Sequence, residues 1–341
     1  MAFEKVTEII KDAPEFTQLT DLAAERLGGK VVHATDDFFA DKENLIKAGR
    51  GIFIADKYTD RGKWMDGWES RRKRTPGHDW CVVQLATTGI IKGFDIDTNF
   101  FLGNHPPQAS IEGAMIEDDA TTTDWDSINW QEILSMSPLD PGSQNFYECK
   151  TAHPFTHIRL HIYPDGGVAR LKVYGEVVKD WKAIDTSEEF DLAAAINGGK
   201  AIACNNMFFS SMSNLIMPGR GVNMGDGWET KRNRTPGNKD WVILKLATQG
   251  TIERIVVDTC HFKGNYPDSC SIEGCFSNDD EAVLSNKSDW QTILPQQKLS
   301  ADHEHEFIKE ITNHSIFSHV RLTIYPDGGV SRLRLFGKVK H

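Results

Sequence analysis

Apolar and polar residues alternate through Ile158-Arg159-Leu160-His161-Ile162-Tyr163, the period of a half-buried antiparallel strand. Pro164-Asp165-Gly166-Gly167 interrupts the run with turn residues, and Val168-Ala169-Arg170-Leu171-Lys172-Val173-Tyr174 alternates back. The pattern predicts a strand, a tight turn and a returning strand. Further β-rich runs cover Trp80 to Leu85, Ile90 to Ile96 and Ala109 to Met115, with turn residues between them. Only Thr186 to Ile196 and the segment before residue 27 suit a helix or arm. Many short strands and few helices predict an all-β chain built as β-sandwiches of the jelly-roll kind.

The pattern occurs twice. Phe155-Thr156-His157 through Val168 returns as Phe317-Ser318-His319 through Val330, and Asp66-Gly67-Trp68-Glu69 returns as Asp226-Gly227-Trp228-Glu229. Between these lie further pairs: Arg72 with Arg232, Asn104 with Asn265, and Ser110-Ile111-Glu112-Gly113 with Ser271-Ile272-Glu273-Gly274. Downstream, Arg170 matches Arg332. Internal self-similarity on this scale predicts tandem homologous domains. The expected layout is an N-terminal arm or helix over 1–26, one repeat over 27–179, a charged linker at 180–188 and a second repeat over 189–341.

Charge and cysteine usage narrow the function classes. A net charge of −11 argues against nucleic acid or an anionic membrane as partner, since either favours a basic field. No stretch approaches the ~20 apolar residues of a membrane helix, and the opening residues lack a signal peptide's apolar core. The six cysteines form no C-x-x-C pair and do not match between repeats, so reduced, structural cysteine is expected. A cytosolic address is the simplest reading, with a peroxisomal or organellar one left open.

The richest candidate loop is Asp66-Gly67-Trp68-Glu69-Ser70-Arg71-Arg72-Lys73-Arg74, with two carboxylates, an indole and four cations in nine residues. Loops of a β-sandwich commonly carry function. Trp68 plugging the sandwich end, with the charges paired in solvent, is the competing structural reading. His157 and His319 lie at matching strand positions, where a histidine is commonly a hydrogen-bonded core residue. Asn104-His105-Pro106 and Asn265-Tyr266-Pro267 form a polar loop that differs at its centre. Arg170 and Arg332 follow the turns and suit either a ligand anion or a neighbouring aspartate. No dinucleotide fingerprint, Gly-rich phosphate loop or Gly-x-Ser-x-Gly elbow is present.

Asp-Gly-Trp-Glu-[Ser/Thr]-x-Arg-x-Arg in two copies, Gly-Asn-x-Pro, Ser-Ile-Glu-Gly, and Phe-x-His-x-Arg-Leu-x-Ile-Tyr-Pro-Asp-Gly-Gly-Val-x-Arg together resemble the allantoicase (allantoate amidinohydrolase) family. The resemblance runs from about Gly28 to the C-terminus. It implies two jelly-roll repeats of the galactose-binding-like kind. It also implies hydrolysis of allantoate to ureidoglycolate and urea in purine (allantoin) degradation.

That reaction breaks a C–N bond at the carbon bearing a carboxylate and two ureido groups. Under the resemblance, Arg72 and Arg232 are expected to hold the carboxylate with their planar forks. Glu69 and Glu229 are the acid/base candidates, and His157 and His319 the second titratable groups near them. Trp68 and Trp228 are expected to wall the pocket, with Asp66, Asp226, Asn104, Asn265, Arg170 and Arg332 as further substrate contacts. Asp66, Glu69, His105, His157 and their counterparts are chemically able to hold a divalent ion such as manganese, though no spacing demands one. The expected partner is the small-molecule substrate, and a homo-oligomer is compatible with the sequence. The competing class is a non-catalytic tandem sandwich that binds a carbohydrate or other small ligand. A third reading keeps one repeat catalytic and the other as a relic.

Overall fold

A computed structural model describes residues 13–116 and 124–340. The chain divides between Val178 and Lys179 into two compact units. Each unit is an antiparallel jelly-roll sandwich. In the first, the strand order runs Thr20–Asp21, Arg170–Val177, Asp79–Asp97, Pro154–Tyr163, Gln108–Ala114, Gln131–Pro138. Lys30–Ala34 and Gln144–Glu148 also pair with the long strand. The second unit repeats this order around Asp240–Asp258.

The two runs expected at Trp80 to Leu85 and Ile90 to Ile96 are one strand of 19 residues. Its first half pairs with Pro154–Tyr163, its second half with Arg170–Val177, and the register shifts between them. It therefore passes from one layer of the sandwich to the other. Gly89 sits at this crossing, where an added Cβ would meet Leu22 Cδ1 at 2.5 Å and the Glu176 carbonyl oxygen at 2.9 Å.

The alternating strand behaves as its pattern predicts. Ile158, Leu160 and Ile162 are fully buried against Ile96, Ile111, Leu171 and Val173. Arg159 and His161 take the opposite face with Glu112 of the neighbouring strand.

Thr186 to Ile196 is not a helix. Phe190–Asp191 pairs with the last strand, and only Ala195–Asn197 makes a single 3-10 turn. The Asp191 side chain accepts from the amides of Ala193 and Leu335 at 3.1 Å each, which ties the alanine-rich segment to the sheet edge. Local side-chain capping and strand pairing outweigh helix propensity here. Thr20–Asp21 does the same in the first unit, with Asp21 accepting from Ala23 and Val173. Both units thus begin their pairing upstream of the first matched glycines. Of the N-terminal arm or helix, residues 1–12 lie outside the described residues. From residue 13 onward the chain makes a 3-10 turn at Glu15–Gln18, with Phe16 packed beside Phe146 and Tyr174.

Candidate active site

The Asp66–Arg74 loop is held on both sides of Glu69. Trp68–Glu69 forms a two-residue strand with Gly167–Val168, and Glu69 bridges Ala40 on its other edge. Ser70 donates its amide to the Gly166 carbonyl. A Cβ on Gly167 would lie 2.0 Å from the Phe101 ring, so only glycine lets the hairpin approach this closely. Trp228–Glu229, Gly329 and Phe262 repeat the arrangement.

Trp68 and Trp228 were expected to wall a pocket, but both are fully buried. Their indole N–H groups donate to the carbonyls of Asp36 and Asn206 at 2.8 Å. An enclosed ring cannot touch a ligand, so the plug reading is correct. A large aromatic with a satisfied donor is what anchors a loop from beneath.

Asp66 and Arg170 are equally occupied. Arg170 Nη2 lies 2.7 Å from Asp66 Oδ2, Nη1 donates to the Asp66 carbonyl, and the Ile52 amide donates to the same carboxylate. Asp226, Arg332 and Val222 make the same set. Both arginines are 3% exposed. They close the loop onto the hairpin and are spent as substrate contacts. Beside each lies a second bidentate pair that sequence reasoning missed, Arg50 with Asp97 and Arg220 with Asp258. The signal was there: Arg-Gly recurs at Arg50-Gly51 and Arg220-Gly221, and each long strand ends in aspartate.

His157 and His319 are not brought to the loop. Each is buried mid-strand, with Nδ1 against the hydroxyl of Thr156 at 3.0 Å or Ser318 at 2.9 Å. His319 also meets Asp280 at 3.2 Å. Six residues of strand separate His157 from Tyr163 at the hairpin, roughly 20 Å at strand rise. The core reading of these histidines is the one the structure supports.

What remains at the loop is a consistent pair. Asn104 Nδ2 donates to Glu69 Oε1 at 2.7 Å, and Asn265 to Glu229 at 2.5 Å. The asparagine backbone is fixed in turn, because its carbonyl accepts from Gly167 or Gly329 at 2.8 Å. Burial pushes the Glu69 carboxyl above its usual range, partly countered by the Asn104 donor. Arg72 and Arg232 are exposed and make no hydrogen bond or ion pair among the described residues. The loop that presents them is anchored by Asp165 and Asp327, which accept from the amides of Lys73 and Asn233 at 2.7 Å. An arginine fork with no protein partner is free for an anion.

The donor set considered for a divalent ion does not fit. Asp66 is committed to Arg170 and Ile52, Glu69 to Asn104, and His157 lies elsewhere on the sheet. Among the described residues no three His, Cys, Asp or Glu side chains converge as a metal site. His105 is half-buried with an unpartnered Nδ1, and Tyr266 takes its position in the second unit.

The allantoicase repeat model matches residues 20–178 and 190–340. A probable allantoicase of Photobacterium profundum is 51% identical over 330 residues, covering 96% of this chain and 99% of that protein. One of Pseudomonas fluorescens Pf-5 is 50% identical over 331 residues, with the same coverage. The crystal structure of allantoicase from Saccharomyces cerevisiae superposes with a TM-score of 0.82 at 36% identity, covering 98% of this chain and 99% of that one.

Proposed function

This chain belongs to the allantoicase family, and from that premise we infer how its loops act. The protein hydrolyses allantoate to ureidoglycolate and urea in purine degradation, as a hydrolase of C–N bonds. The non-catalytic alternative is not favoured.

The departing ureido nitrogen must leave as neutral urea, so it needs a proton donor. We assign that role to Glu69 and Glu229. The observation that carries the assignment is the bond from Asn104 to Glu69, repeated by Asn265 and Glu229, on a loop that also presents an unpaired arginine. Burial favours the protonated form of Glu69, the form a general acid must hold near neutral pH. The asparagine amide fixes one carboxyl oxygen and leaves the other for the substrate. Arg72 and Arg232 hold the substrate carboxylate. Trp68, Asp66 and Arg170, with their counterparts, position the loop from beneath.

All six cysteines are buried and none is joined in a disulfide, which suits a reducing cytoplasm. The net charge of −11 disfavours nucleic acid as a partner. The exposed Phe38-Phe39 and Phe208-Phe209 doublets, whose second residue donates to the Glu69 or Glu229 carbonyl, are compatible with a homo-oligomer.

Incubation of the full chain with allantoate, with urea, ureidoglycolate and ammonia assayed separately, tests the reading. Urea and ureidoglycolate should appear in equal amounts. Ammonia as the primary product would overturn the assignment.

A further inference from the structure

A proton donor alone does not complete the reaction, because a second group must take a proton, and the strand histidines named from sequence lie too far from Glu69. Beside the same hairpin, the first unit carries a line of three titratable side chains. His78 Nε2 lies 2.8 Å from His161 Nδ1, and His161 Nε2 lies 2.8 Å from Glu112 Oε2. Arg159 donates to that same Glu112 oxygen through Nε at 2.8 Å and Nη2 at 2.7 Å.

These contacts dictate where the protons sit. Glu112 faces an arginine fork, so it is ionised and can only accept. Its hydrogen bond therefore places the His161 proton on Nε2. Neutral His161 then accepts at Nδ1, and His78 must donate from Nε2. The lone pair of His78 is left on Nδ1, which has no hydrogen-bond partner among the described residues. A proton received there can be matched by transfer of the Nε2 proton to His161, bringing the positive charge beside Glu112. The carboxylate thus strengthens a base it does not touch.

We propose that His78 Nδ1 is the proton acceptor of the first unit, with His161 and Glu112 as its positioning residues. The proposal rests on the acid role given above to Glu69. His78 and Glu69 flank one short turn: the Asp79 amide donates to the Pro164 carbonyl at 3.1 Å, and Glu69 pairs with Gly167. Pro164 and Gly167 are three Cα steps apart, at most about 11 Å.

The proton balance closes with these two groups. His78 takes the proton of the ureido nitrogen that stays, whose electron pair forms a C=N bond as the other C–N bond breaks. Glu69 protonates the departing nitrogen, and urea leaves. Water then adds to the imine carbon, giving its proton to the Glu69 carboxylate, while His78 returns its proton to the imine nitrogen. The product is ureidoglycolate, and both side chains end as they began.

Several groups set the titration of His78. Burial is the main force holding it below the ordinary imidazole value; Lys73 and Arg159 add to this, while Asp79 and Glu112 oppose it. His161 lies at its Nε2, and the Tyr163 ring packs 4.4 Å from its own. The balance keeps His78 neutral near pH 7, as a base must be.

The second unit retains the arginine–glutamate pair without the imidazoles. Arg321 grips Glu273, but Thr323 replaces His161, and Asn238-Lys239 occupy the position of His78. The base is thus a property of the first unit.

Urea release by the full chain, measured across the range where imidazole titrates, tests the proposal. His78→Gln should lower kcat by about 100-fold or more with little change in KM, and should remove the acidic limb of the profile. Glu112→Gln should keep the limb but move it to lower pH, because the relayed charge loses its counterion. Imidazole nitrogen shifts should show His78 protonated at Nε2 in the native protein. Wild-type kcat at every pH in His78→Gln, or a His78 proton resident on Nδ1, would overturn it. The Glu69→Gln variant separates the two readings. If it is inactive while His78→Gln is unaffected, the acid stands and this base falls. If it is active while His78→Gln is impaired, His78 stands and the acid must be sought elsewhere.

Discussion

The strand Pro154–Tyr163 and its copy Phe317–Tyr325 carry the same arginine–glutamate pair on one face, each closed at 2.7 Å. Around that pair the units differ, with imidazoles at His78 and His161 in one and Asn238, Lys239 and Thr323 in the other. At the Glu69 and Glu229 loops the opposite holds: plug, arginine–aspartate clamp and asparagine donor are all duplicated. Features that hold a loop in shape have survived in both units. So has the proposed acid, Glu69 or Glu229, whereas the two imidazoles occur in the first unit alone, so the comparison separates what both loops share from what one unit adds.

Removing both glutamates should have the largest effect. Glu69→Gln with Glu229→Gln should cut urea release by about 100- to 10,000-fold, the usual worth of a general acid. The amide keeps the size and the hydrogen bond to asparagine but holds no proton to give. The single variants should be unequal, with Glu69→Gln the more damaging because only its unit has the histidine relay. Equal losses of about half would mean two independent sites. Near wild-type activity in the double variant would remove both glutamates from the mechanism.

A smaller effect is expected at the anion grip. Arg72→Lys should raise KM on the order of 10-fold while leaving the melting temperature unchanged, because lysine keeps the charge but loses the planar fork. Among the described residues neither Arg72 nor Arg232 has a hydrogen-bond or ion-pair partner to lose. Arg232→Lys measures how far the second loop still binds substrate. Unchanged kinetics in both variants would show that these arginines serve neither site.

The alternation through Ile158 to Tyr163 was legible because a period of two admits one buried face, and the structure buries the residues it named. Glu69 and Asn104 were each visible, but not their bond, since 35 residues separate them and the hairpin at Gly167, which pairs with Glu69 and donates to the Asn104 carbonyl, brings them together. Trp68 and Arg170 were misread for a related reason: residue type shows that a group can bind a ligand, not that Asp36 or Asp66 already holds it. His157 looked close to the turn in sequence and is far in space, because a strand spends its length in one direction. His161 carried a signal that went unused. It alternates with Arg159 opposite the Glu112 strand, and only the first repeat has it.

The smallest expected effect on turnover lies inside the long strand, at a buried position where one unit carries a carboxylate and the other an apolar side chain. Asp95 of the first unit corresponds to Val256 of the second. Asp95 is 2% exposed, accepts from Gln144 through Oδ2 at 2.6 Å, and leaves Oδ1 without a partner. Burial pushes its carboxyl up to about 7 from an ordinary 3.8; Gln144 opposes the shift, Asp97 adds to it, and Arg50 and Lys172 oppose it. Between those two values the folded chain keeps a proton that the unfolded chain has released. Stability from this group is therefore complete below pH 3.8, falls as pH rises through the window, and is gone above about 7. Asp95→Asn stays neutral throughout, so it should be more stable than the native chain at pH 8, by up to about 4 kcal/mol for a shift of that size. The gain should vanish near pH 4. Denaturant midpoints at the two pH values measure it directly. Val256→Asp is the reciprocal variant and should install the same pH dependence in the second unit. An Asp95→Asn gain that is the same at both pH values would show that packing, not ionisation, separates the two positions.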